Sequence, residues 1–309
     1  MYSTRAYTIN DEEQICNLFQ IVFSTTFTVE QWRWKYLHHD NLPLSRVAID
    51  TQGNIIGHAG AVALRGQSYG KSMPMYQIAD VMVHPQARGY LGTNNLFTIL
   101  LRELLTDIAH THRHVLAYGF PGLRPFKLGE YAKLYERIEQ AKEFVWNVNE
   151  LNGSLWLQAV ETNWSQIRFN SLWQHLHYQF PISLIRDEEY LIWRYAQNPF
   201  RIYNIINLQI LGMSVGWAVL HLKNTEALIV DMLITNQFKT QAIRAISGWA
   251  QMQGIKTLRL WINSNWQPKL SLAVINTPII VTNMRWGLPV QTENLYKKFY
   301  YTMGDVDIF

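Results

Sequence analysis

The run Asp80-Val81-Met82-Val83-His84-Pro85-Gln86-Ala87-Arg88-Gly89-Tyr90-Leu91-Gly92-Thr93-Asn94-Asn95-Leu96 leads from an apolar strand, through a proline turn and an Arg-Gly loop, into a long helix. The helix is predicted over 93–109, with Leu96, Ile99, Leu100, Leu104 and Ile108 on one face. Strands are predicted before it at 76–83 and after it at 114–118. Glycines in such a loop let backbone amides approach a ligand, and the helix start adds unpaired N–H groups and the positive end of its dipole. The expectation is an anion cradle suited to a diphosphate. A plain strand-to-helix turn would use the same glycines for geometry alone. Neither the Gly-Lys-Ser/Thr of a P-loop nor a G-x-G-x-x-G follows Arg88.

Upstream, apolar spacing predicts helices over 11–24, with Asn10 as N-cap, and over 29–37. Strands at 45–49 and 54–64 flank the turn Thr51-Gln52-Gly53-Asn54. This order implies an α/β (α+β) fold, a mixed twisted sheet flanked by helices.

The pattern recurs. Trp34-Lys35-Tyr36 reappears as Trp193-Arg194-Tyr195, an offset of 159 residues. The same offset joins Gly57 to Gly216 and Ala59 to Ala218. Asp80-Val81-Met82-Val83 matches Asp231-Met232-Leu233-Ile234 at an offset of 151. A period this long means two similar domains and not a solenoid. They are expected at 1–150 and 155–309, joined by the polar stretch 147–154. After Ile234 comes Thr235-Asn236-Gln237-Phe238-Lys239-Thr240, without Arg-Gly or any glycine. The cradle is therefore expected in the first copy only.

Composition narrows the class. Hydrophobic residues make up 48% of the 309 and charged residues 16%, which suits packed cores and not a disordered chain. The net charge of +4 is scattered, with no basic stripe, so no nucleic acid is expected as partner. A single cysteine, Cys16, excludes an internal disulfide and a Cys-based zinc site. His110, His112 and His114 lack companions at ligand spacing, so no metal is expected. No stretch reaches the ~18–20 apolar residues of a membrane span, and a cytoplasmic protein without membrane contact is the expectation.

Val83-His84-Pro85-Gln86-Ala87-Arg88-Gly89 resembles motif A of the GNAT acetyltransferases, written V-x-P-x-x-R-G-x-G-x-G/A. The tandem arrangement, with Trp34-Lys35-Tyr36 and Gly119-Phe120-Pro121-Gly122, is similar to two-domain GNAT proteins of the Eis-like kind. The resemblance covers most of 1–145 and, more faintly, 160–309. It implies an N-acyltransferase that uses acetyl-CoA (acyl-CoA) as co-substrate and an amine of a small molecule or peptide as acceptor. It also implies that Val81, Met82 and Val83 offer backbone groups to the pantetheine arm, and that amides of Arg88, Gly89, Tyr90, Leu91, Gly92 and Thr93 hold the diphosphate. A base then deprotonates the amine, which attacks the thioester directly.

Three positions depart from the pattern. Leu91 stands at the family's first loop glycine and Thr93 at its Gly/Ala, with Gly92 between. The family's tyrosine acid, four residues before the Gly of a Leu-Gly pair, is Pro125 here, since Leu128-Gly129 is the matching pair. Tyr118 or Tyr131 is the expected substitute, and Asp80 the expected base. A carboxylate also stands at Asp231, in the copy without the loop, which equally fits a structural role for both. The altered loop keeps open a second reading, an acyl-CoA or metabolite binder without catalysis. The sequence leaves homodimer formation open.

Overall fold

Side-chain caps set the starts of the two helices that frame the central strands of the first unit. In a computed structural model, which describes residues 2–38, 43–89 and 94–306, Thr28 and Gln31 form a reciprocal capping box and Asn95 Oδ1 accepts from Thr98 N–H. The first of these opens α2 (Val29–Tyr36), after β1 (Tyr2–Ala6) and α1 (Glu12–Phe23). Asp11, not Asn10, stands at the N-cap position of α1, with its carboxylate bonded to Arg5 and the Thr8 amide and not to the helix; Asn10 sits at φ 82 in the preceding turn. Then follow β2 (Leu44–Asp50), β3 (Ile55–Ser68) and β4 (Lys71–Val83). The second cap opens α3 (Leu96–Thr111), which therefore starts three residues later than the apolar pattern predicts. β5 (Leu116–Gly119), α4 (Leu123–Tyr131) and β6 (Tyr135–Asn147) come next. The remainder holds β7 (Leu157–Thr162), α5 (Phe169–Leu176), β8 (Ile182–Leu184), α6 (Glu188–Leu191), β9 (Asn204–Ile210), β10 (Met213–Lys223), β11 (Glu226–Ile234), α7 (Lys239–Met252), β12 (Thr257–Trp261) and β13 (Ala273–Met284).

These elements form two compact units. The first comprises Met1–Gly66, Ser72–Gln140 and Pro278–Tyr296, the second Gln67–Lys71, Ala141–Thr277 and Lys297–Phe309. The chain thus changes unit within β3, within β4, within β6, within β13 and after Tyr296, and not once at 147–154.

In the first unit the strand order is β1-β2-β3-β4-β5-β13-β6. The pair β4·β5 is parallel, whereas β1·β2, β2·β3 and β13·β5 are antiparallel. Helix α3 lays Leu100, Leu101, Leu104, Leu105 and Ile108, each 0% exposed, on a core shared with Ala48, Ala59, Ile78 and Ala117. Burying each such leucine stabilises the unit by about 1.5–3 kcal/mol. Gly57 lets the helix approach, because a Cβ there would lie 2.8 Å from Leu100 Cδ1.

In the second unit the order is β6-β12-β11-β10-β9-β7, with β11·β12 parallel. Helix α7 packs on β7 and β11, and Trp146 Nε1 donates to Ser247 Oγ of α7 at 2.9 Å. Gly216, the repeat partner of Gly57, is also a close approach: a Cβ there would collide with the Leu233 carbonyl. No helix among the described residues is long and apolar enough to cross a membrane.

Candidate functional site

Strand β4 pairs with β5 from Met75↔Leu116 to Ile78↔Gly119 and then runs on past the end of β5 through Val83, with β3 on its other side. The two parallel strands part at this point, and the residue two places beyond the last pair is Asp80. Its φ of 49 lies in the left-handed region, a conformation that costs a non-glycine residue about 1–2 kcal/mol. Such a residue inside a strand re-aims the chain that follows it.

Several side chains hold Asp80 there. Lys35 Nζ donates to Asp80 Oδ2 at 2.8 Å and Tyr36 Oη to the same oxygen at 2.7 Å. The Lys35 and Asp80 side chains are only 6% and 7% exposed. The Lys35 ammonium also lies 5.9 Å from the Phe27 ring centroid and 5.4 Å from that of Tyr36, within cation–π reach. Tyr36 lies flat over β3, where a Cβ on Gly60 would come within 2.5 Å of its hydroxyl. On the backbone side, His58 Nδ1 is 2.8 Å from the Asp80 carbonyl and His58 Nε2 is 2.7 Å from Ser45 Oγ. Burial holds the His58 imidazole below its usual pKa. The neutral ring then has one consistent tautomer: Nδ1–H donates to the Asp80 carbonyl and Nε2 accepts from the Ser45 hydroxyl.

After β4 the chain enters a 3₁₀ turn at Pro85–Ala87. His84 N–H still donates to the Ile56 carbonyl, at 2.8 Å. The Arg88 amide donates to Pro85 O at 3.3 Å and the Gly89 amide to Ala87 O at 2.9 Å. These two amides, expected to grip a diphosphate, are therefore taken up by the turn itself. The Arg88 side chain folds back as well, its Nε donating to Val83 O at 3.0 Å. Tyr90, Leu91, Gly92 and Thr93 lie outside the described residues. At the mouth of α3, Asn95 takes the Thr98 amide, and the amides of Leu96 and Phe97 have no acceptor among the described residues. Of the strand residues expected to face the cofactor, Val81 is half-buried, and Met82 and Val83 are 1% and 8% exposed.

The two candidate acids fare differently. Tyr118 is fully buried on β5, opposite Gln77 in the register and against the Phe120 ring. Tyr131, the last residue of α4, is 69% exposed. The sequence pattern assigns no role to His58 or Ser45, and Lys35 and Tyr36 enter it only through the Trp-Lys-Tyr run of the repeat and of the family resemblance. The repeat itself was the available signal, since it ties a tyrosine to an aspartate in each copy.

A mixed sheet whose parallel pair opens ahead of a long capped helix is the architecture of N-acyltransferases of the GNAT fold. Residues 3–137 match the family model described as an acetyltransferase (GNAT) domain. The whole chain is similar in structure to a probable N-acyltransferase from Enterococcus faecalis V583, with a TM-score of 0.72, 13% identity, and coverage of 96% of this chain and 75% of that one. It is similar also to a GCN5-related N-acetyltransferase from Anabaena variabilis, at 0.70, 14%, 93% and 73%. A third likeness is to Saccharomyces cerevisiae N-myristoyltransferase with bound myristoyl-CoA, at 0.59, 9%, 92% and 83%. At these identities the likeness is one of fold. No curated protein matches the sequence.

Proposed function

We propose that the protein is an N-acyltransferase that moves an acetyl or longer acyl group from CoA to an amine of a small molecule or peptide. The observation that carries this reading is β4 running past the end of β5 beside the first turn of α3, where the Leu96 and Phe97 amides face no acceptor among the described residues. The edge of Val81–Val83, which β5 leaves unpaired, suits an extended pantetheine arm, and the helix start suits an anionic diphosphate. The myristoyl-CoA held by a structural neighbour of the same fold supports an acyl-CoA donor. In the reaction, the amine nitrogen forms a bond to the thioester carbonyl, the C–S bond breaks, and the CoA thiolate leaves. The amine proton passes to a base and the thiolate takes up a proton. Asp80 is the proposed base: both of its donors converge on Oδ2, so Oδ1 is the oxygen for an incoming proton. Tyr118, next to the last β4·β5 pair, is the proposed donor to the thiolate.

The engaged amides of Arg88 and Gly89 favour a second reading, acyl-CoA binding without turnover. Calorimetry with acetyl-CoA and with a longer acyl-CoA, followed by thiol release across an amine panel, separates the two. Binding with thiol release that Asp80→Asn reduces about 10²–10⁴-fold supports transfer, the range of a lost general base. Binding without release supports the second reading. Absence of any binding rejects both.

A further inference from the structure

In each copy of the repeat a tyrosine from the same position donates to the aspartate. Tyr36 donates to Asp80 at 2.7 Å and Tyr195 to Asp231 at 2.9 Å. From the backbone direction they differ. At the offset of 159, Trp217 stands where the first unit has His58. Trp217 is fully buried, and its indole N–H finds no acceptor among the described residues. The Asp80 carbonyl, by contrast, is held by an imidazole that a serine hydroxyl orients from β2, with His58 and Ser45 at 0% and 3% exposure. The hydrogen-bonded histidine therefore belongs to the copy whose turn leads into the Arg-Gly loop, and to the strand segment just before Val81–Val83.

We infer that His58, oriented by Ser45, is a positioning residue that pins the Asp80 peptide in its left-handed conformation and so fixes where the Val81–Val83 edge is presented to acyl-CoA. This rests on the acyltransferase reading for its consequence, though not for the pinning itself. The mechanism is local. A carbonyl at φ 49 inside a strand is turned out of the regular ladder, and it needs a donor from elsewhere. Nδ1–H is that donor, and Ser45 keeps the proton on Nδ1 by donating to Nε2. His58 does not touch the reacting atoms; it acts through the strand.

The test is made on the full chain as wild type, His58→Phe, His58→Asn and Ser45→Ala. Backbone hydrogen exchange over 76–88 reads the strand without any ligand. His58→Phe keeps the ring volume but has no donor, and exchange over 76–88 is expected to rise by about tenfold or more. His58→Asn places an amide nitrogen near the position of Nδ1 and is expected to recover most of the protection. Ser45→Ala is expected to fall between, and it carries the comparison if His58→Phe does not fold. With acetyl-CoA, His58→Phe is expected to raise the KM for the acyl donor several-fold and leave the KM for the amine unchanged, with His58→Asn restoring it. Unchanged exchange over 76–88 in folded His58→Phe or Ser45→Ala overturns the pinning. Raised exchange with an unchanged acyl-donor KM overturns the link to the cofactor. If the wild type binds no acyl-CoA, the acyltransferase reading falls and takes that link with it, and the exchange result alone still decides the pinning.

Discussion

The two units repeat one device and finish it differently. In each, a parallel strand pair ends two residues before the repeat aspartate: Ile78↔Gly119 ahead of Asp80, and Ile229↔Leu260 ahead of Asp231. In each, a 3₁₀ turn begins five residues after that aspartate, at Pro85 and at Asn236. From there they diverge. The first unit inserts 88–95 before α3 begins at Leu96, whereas α7 begins at Lys239, directly after the turn that ends at Phe238. The second unit thus has no chain from which to build a loop over a diphosphate. Its aspartate has instead been closed into a fully buried cluster. Arg186 donates to Asp231 at 3.0 Å and to Asp305 at 2.6 Å, and Thr302 Oγ1 is 3.2 Å from Asp231 Oδ1. The contrast separates what both units keep, the Tyr–Asp bond, from what the first alone has, the longer connection to its helix and the His58 contact.

The largest effect is expected from breaking the buried cluster. Arg186→Met leaves Asp231 and Asp305 without a cation at 0% and 2% exposure, and is expected to cost about 3–5 kcal/mol. Lys35→Met, the counterpart in the first unit, is expected to cost about 1–3 kcal/mol, because Asp80 keeps Tyr36 as a donor. Thermal unfolding of the two variants checks the order. An Arg186→Met protein as stable as wild type would show that the cluster is not what closes the second unit.

The Tyr–Asp bonds come next. Tyr195→Phe removes a donor from a carboxylate that is 0% exposed and is expected to cost about 1–3 kcal/mol. Tyr36→Phe is expected to cost about 0.5–1.5 kcal/mol, with Lys35 still bonded to the same oxygen. Denaturant midpoints measure both. Equal losses would argue that the two locks carry equal weight and that the difference in burial is immaterial.

Much of this comparison is legible in the sequence, and the reasons for the rest are physical. The offset of 159 shared by Tyr36 and Tyr195, and the two Asp-led strands, announce the paired aspartate nodes. The long helix after the Arg-Gly loop is visible from its leucine spacing, but its first residue is set by the Asn95 cap and not by apolar period. The placement of 278–296 in the first unit is invisible, because strand order is decided by pairing across long separations and not by local pattern. His58 escapes for a similar reason: its partner is a backbone carbonyl 22 residues away, and a carbonyl carries no residue signature. The free-amide reading of Arg88 and Gly89 fails because a proline turn can satisfy its own N–H groups over two or three residues.

The smallest effect is also the most discriminating, since the two units should respond to pH with opposite signs. In the first, burial holds the His58 pKa below 6.5 in the folded state. The unfolded chain takes the proton first, so the stability His58 contributes is present above pH 6.5 and is lost as pH falls through the folded value. In the second, burial raises the Asp305 pKa above 3.8, with Asp231 adding to the rise and Arg186 opposing it. There the folded state keeps a proton that the unfolded chain releases. That contribution is present below pH 3.8 and is lost as pH rises through the folded value. Hydrogen exchange between about pH 7.5 and 4, corrected for intrinsic rates, should then show protection over 76–83 falling towards acid relative to His58→Asn. Protection over 226–234 should rise towards acid relative to Asp305→Asn. Parallel slopes in both units, unchanged by either substitution, would mean that neither buried group titrates in this range and that the two nodes differ in composition alone.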